Sequence, residues 1–75
     1  MKKLTLEQII EREKAQRCEG GAFGIAECKD SIRWTLAHTT RTLYSLLEDY
    51  VKRANEDPFF NKAMVLACWE LINEQ

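Results

Sequence analysis

The sequence predicts an all-α fold: one domain over residues 1–75, with three helices at about 5–18, 23–55 and 58–73. A long central helix carries the short first helix and the apolar third helix folded against it. Three observations predict this. Apolar residues recur at three- and four-residue steps along most of the chain. A helix-start signature stands at Thr5. The strong breakers cluster at two places, Gly20-Gly21 and Asp57-Pro58.

The first helix starts at Thr5, a good N-cap, with Gln8 three residues on as in a capping box. Leu4 before the cap and Ile9 inside it are placed for a hydrophobic staple. Leu6, Ile9 and Ile10 form a short apolar stripe that gives way to Glu11, Arg12, Glu13 and Lys14. The helix is expected to reach about Cys18, where Gly20 and Gly21 end it.

In the second helix the apolar or small face runs Ile25, Cys28, Ile32, Leu36, Thr40, Leu43, Leu47, Tyr50, Ala54. These steps average close to 3.6 and no Gly or Pro interrupts them. Asp30 and Ser31 are good caps and mark one possible break. The unbroken face favours a single helix of roughly 50 Å at 1.5 Å per residue.

"NEDP" then supplies Asp57 as an N-cap and Pro58 as the first residue of the third helix. From Phe59 to Ile72 that helix is apolar on most sides, so it needs covering on most sides. Three helices laid along one rod form a single layer. They leave the third helix and Trp34, Tyr44 and Val51 partly uncovered, so completion by a homodimer or higher oligomer is expected.

The segment "RWTLAHTTRTLYSLL" holds the candidate site. Thr35, His38, Thr39, Thr42 and Ser45 form one stripe of a continuous helix, and Trp34, Arg41, Tyr44 and Glu48 form the next. A helix face open to water normally carries Lys and Glu. A neutral hydroxyl band suits a face on which something packs closely. Trp, Tyr and Arg are the types enriched where binding energy concentrates. The residues expected to bind a partner or ligand are therefore Trp34, His38, Arg41, Thr42, Tyr44 and Ser45.

Several classes are disfavoured. With 11 basic and 12 acidic residues the net charge is −1, which gives no general attraction to nucleic acid or an anionic membrane. Lys29, Arg33 and Arg41 could form a basic patch only on an oligomer. No apolar run approaches the ~20 residues of a membrane span. "MKKLTLEQ" lacks the apolar core of a signal peptide, so a cytoplasmic location with reduced thiols is expected. Cys18, Cys28, Cys68 and His38 are a zinc-like set without the close spacing zinc sites use, so no metal is expected. A Cys18–Cys28 bridge is conceivable across the glycines. His38 is the only histidine and has no nucleophile motif beside it. "GGAFG" matches no nucleotide-binding pattern and reads as a hinge.

The expected function is that of a small non-catalytic intracellular binding protein, an adaptor, inhibitor or regulator. It needs no cofactor and acts through protein contacts of the central helix. The alternative is a phage-type ligand-sequestering protein. It would hold a small anionic metabolite or nucleotide at an oligomer interface, with Arg41 on the anion.

Overall fold

A computed structural model describes residues 3–18 and 24–75, with side chains for 3–16 and 24–75. Four helices follow one another: α1 (Leu6–Cys18), α2 (Ile25–His38), α3 (Leu43–Glu56) and α4 (Ala63–Asn73). No strand occurs among the described residues.

The capping box at the start of α1 forms as expected. Gln8 donates its backbone N–H to Thr5 Oγ1 at 3.2 Å, and Thr5 donates its own to Gln8 Oε1 at 2.9 Å. Leu4 is half-buried and Ile9 fully buried in the same apolar cluster. The Gly20-Gly21 stop, Phe23 and most of the "GGAFG" hinge lie outside the described residues. Gly24, its last residue, has φ of 93°, a left-handed conformation that favours glycine, and α2 begins immediately after it.

The long central helix is corrected. The expected helix 23–55 is two helices, α2 and α3, separated by an elbow at residues 39–42. Asp30-Ser31 lies inside α2 and does not break it. The elbow has a local cause in its threonines. Thr39 Oγ1 donates to Thr35 O at 2.8 Å, as Thr35 Oγ1 does to Ser31 O at 3.0 Å. Thr39 Oγ1 also accepts from the Arg41 N–H at 3.3 Å. β-Branched side chains that bond the preceding turn weaken a helix. Thr39 is extended at φ −139°, and so is Thr42 at φ −105°. Thr42 then caps α3, its Oγ1 accepting from the Ser45 N–H at 3.1 Å. Replacing Thr42 by Ala is expected to cost about 1 kcal/mol, read as a shift of the urea midpoint.

The third helix is corrected at its start. α4 begins at Ala63, not at Pro58. Asp57 caps a turn: its Oδ1 accepts from the Phe59 N–H at 2.9 Å, and its carbonyl accepts from the Phe60 N–H at 3.1 Å. Asn61 then offers Oδ1 to the Ala63 N–H at 3.0 Å, so α4 starts from a second polar side chain downstream.

With the elbow the chain folds back on itself, and its longest extent is 32 Å, well short of a 50 Å rod. α4 packs against each of the other three helices. Val65, Ala67 and Cys68 are fully buried, among Ile9, Ile32, Leu46 and Tyr50. The single layer expected along one rod is therefore replaced by a bundle in which α1, α2 and α3 all pack on α4. Val51 is half-buried against the core. Among the described residues, the large apolar side chains left exposed are Trp34, Tyr44 and Phe59.

Candidate functional site

The elbow places the six expected site residues in three groups. The first is on the last turns of α2. The Trp34 and His38 rings stack, with centroids 4.1 Å apart and planes 13° from parallel. His38 Nδ1 lies 2.9 Å from Trp34 O. A carbonyl only accepts, so Nδ1 is the protonated nitrogen in that bond. The hydrogen bond holds the His38 ring, and Trp34 stacks on that ring while staying 62% exposed.

The second group is the elbow itself. Arg41 wraps onto the start of α3. Its Nε and Nη2 donate to Ser45 Oγ at 3.2 and 3.0 Å, and Nη2 also donates to Ser45 O at 3.2 Å. Its Nη1 is 3.7 Å from Asp49 Oδ2, which also pairs with Arg53 Nε at 3.1 Å. Thr42 and Ser45 therefore serve the fold, one capping α3 and the other holding Arg41. Arg41 already has a carboxylate, which weakens its expected role as a phosphate ligand. The third group is Tyr44 alone, on the first turn of α3 and 65% exposed.

The single hydroxyl stripe does not survive the elbow. Thr35 lies on α2, Thr39 and Thr42 lie in the elbow, and Ser45 lies on α3. What the fold retains is a corner: Trp34 before the bend, Tyr44 after it, and a pinned guanidinium between them in sequence.

The basic patch is also neutralised. Lys29 Nζ lies 2.7 Å from Glu74 Oε2 and 3.1 Å from Glu70 Oε1, clasping α2 to the end of α4. Arg33 pairs with Asp30 at 3.2 Å and approaches Glu74 at 3.9 Å. The hydrogen bond that Lys29 donates to the Glu74 carboxylate raises the Lys29 pKa above its ordinary value, and the same bond lowers that of Glu74. The signs fix a pH window. A lowered carboxylate pKa adds stability above the unfolded value, and that stability is lost as pH falls through the folded one. A raised lysine pKa adds stability that is lost only as pH rises through the folded value, in strong alkali. Acidification from about pH 6 to about pH 3 is thus expected to lower the urea midpoint less in Glu74→Gln than in the wild-type chain.

Cys68 is not a reactive thiol. Cys68 is buried, donates to Leu43 O at 3.3 Å, and burial pushes its pKa up to about 11, so it stays protonated at neutral pH. Asn61 Nδ2 contacts Cys28 Sγ at 3.8 Å. The conceivable Cys18–Cys28 bridge turns on the Cys18 side chain, which lies outside the described side chains. Among the described residues, no three of His, Cys, Asp or Glu gather as a metal ion would need. No described helix is long and apolar enough to cross a membrane.

Cavities open between elements of the described residues. One of about 240 Å³ lies beside the clasp, lined by Leu36, Leu43 and Leu71 with Arg33 and Glu74. A larger groove of about 570 Å³ joins the start of α1 to the end of α3. Sequence reasoning singled out neither, because their walls come from helices far apart in the chain. Compared with known protein families, curated proteins and solved structures, the chain matches none of them.

Proposed function

We propose that this chain is a small, non-catalytic intracellular binding protein, an adaptor, inhibitor or regulator, that docks another protein on the α2–α3 corner. One observation carries the reading. Trp34 and Tyr44 remain mostly exposed on either side of an elbow at which the Thr39, Arg41 and Thr42 side chains are bonded within the chain. The two aromatics are the residue types on which binding energy concentrates. Trp34 is held by its stack on His38, and Arg41 by Ser45 and Asp49. Little side-chain freedom is left to lose on binding, which favours affinity. The packing of α4 on all three other helices supports docking of a foreign chain at this corner.

The test is affinity capture with immobilised wild-type chain, Trp34→Ala, Tyr44→Ala and Phe59→Ala. The expected result is a protein retained by the wild type and by Phe59→Ala, with tenfold or greater weakening (about 1.4 kcal/mol or more) in either corner variant. Circular dichroism should be the same for all four. Equal retention by all four, or loss of the fold in Trp34→Ala, would remove the corner from the binding role.

A further inference from the structure

We infer that the groove between the start of α1 and the end of α3 binds a small organic monoanion, a molecule with an apolar body and one carboxylate or sulfonate head. The site shares no residue with the corner. Its volume of about 570 Å³ lies within the range of small-molecule sites. Leu4, Ala54 and Pro58 supply an apolar lining for the body of such a molecule.

The head group follows from charge. Lys29, Arg33, Arg41 and Arg53 each have a carboxylate within 4.0 Å. Arg12 and Lys62 both line the groove, and neither has such a partner among the described residues. Two cations without a carboxylate partner on one groove give it positive charge for an anion to meet. Gln8 adds a donor: its Oε1 is taken by the Thr5 N–H, which leaves its amide NH₂ to give. Asn55 adds none, because both its amide protons go to the carbonyls of Leu4 and Val51.

Glu56 is the carboxylate on the same lining, so the groove has two cations against one anion. That balance accepts one negative charge and disfavours a second. It selects a monoanion over a polyphosphate, and it separates this site from the nucleotide expected at Arg41.

The probe is 8-anilinonaphthalene-1-sulfonate, titrated by fluorescence into the wild-type chain and followed by amide chemical-shift mapping. N-Phenyl-1-naphthylamine, which is uncharged, is titrated in parallel. The sulfonate is expected to bind saturably and about tenfold or more tighter than the uncharged dye. Shifts should centre on Leu4, Arg12, Ala54 and Lys62. The Arg12→Gln/Lys62→Gln variant should weaken the sulfonate about tenfold while leaving the uncharged dye unchanged. No saturable binding up to about 1 mM, equal affinity for the two dyes, or shifts centred on Trp34 and Tyr44 would each overturn the inference. The two-dye comparison uses the wild-type chain, so it decides the matter even if the double variant fails to fold.

Discussion

Replacing Ile32 by Ala is expected to destabilise the fold by about 3 kcal/mol, whereas Ile32→Val should cost about 1 kcal/mol. Ile32 is fully buried on α2, in the cluster that includes Val65 and Cys68 of α4. The larger truncation removes apolar contact and leaves a cavity that a packed interior fills only in part. A 75-residue domain holds only about 4–11 kcal/mol in total. Urea unfolding should therefore show Ile32→Ala with a midpoint far below the wild type and an unchanged slope. If Ile32→Ala unfolded at the wild-type midpoint, α2 would not be seated on α4 as described.

Asn55 is the second position of large effect. Its Oδ1 accepts from the Leu4 N–H at 2.6 Å, and its Nδ2 donates to Leu4 O at 2.9 Å and to Val51 O at 3.1 Å. One side chain on α3 thus satisfies both backbone groups of the residue that leads into α1. Asn55→Ala leaves those partly buried groups without partners, at an expected cost of about 2 kcal/mol. Asn55→Asp should not restore the loss, because a carboxylate cannot donate to Leu4 O. The damage should be local. Amide hydrogen exchange is expected to speed up in α1 before it does in α3 and α4. Uniform loss of protection in all the helices would show instead that Asn55 holds the bundle as a whole.

The contrast between these residues explains what is legible in the sequence. Thr5 and Gln8 announce the start of α1 because the cap is made within one turn. The face from Ile25 through Ile32 and from Leu43 through Ala54 is legible because burial repeats with the helix. The elbow is hidden by that same repeat. Leu36, Thr40 and Leu43 keep the step of three or four straight through the break, so periodicity alone cannot see it. The signal that does mark it is chemical: Thr35, Thr39 and Thr42 carry hydroxyls that compete for the backbone. The same threonines also account for the neutral band in that segment. They bend and cap the chain.

The rest depends on partners remote in the chain. Asn55 meets Leu4 across 51 positions, and Lys29 meets Glu74 across 45. No local pattern pairs them. Trp34 and Tyr44 are exposed, and their placement on either side of an elbow is not legible in the sequence. Thr42 and Ser45 read as binding residues in sequence and serve as cap and anchor in the fold. The groove around Arg12 and Lys62 appears only once α1 is laid against the end of α3.

The most direct test of partner docking at the corner is photo-crosslinking with p-benzoylphenylalanine in place of Tyr44, and separately in place of Phe59, in extract of the source cells. The expected result is one discrete adduct with a different protein from position 44 and none of that mass from position 59. An adduct whose mass is that of a second copy of this chain, the same adduct from both positions, or no adduct at all would contradict it.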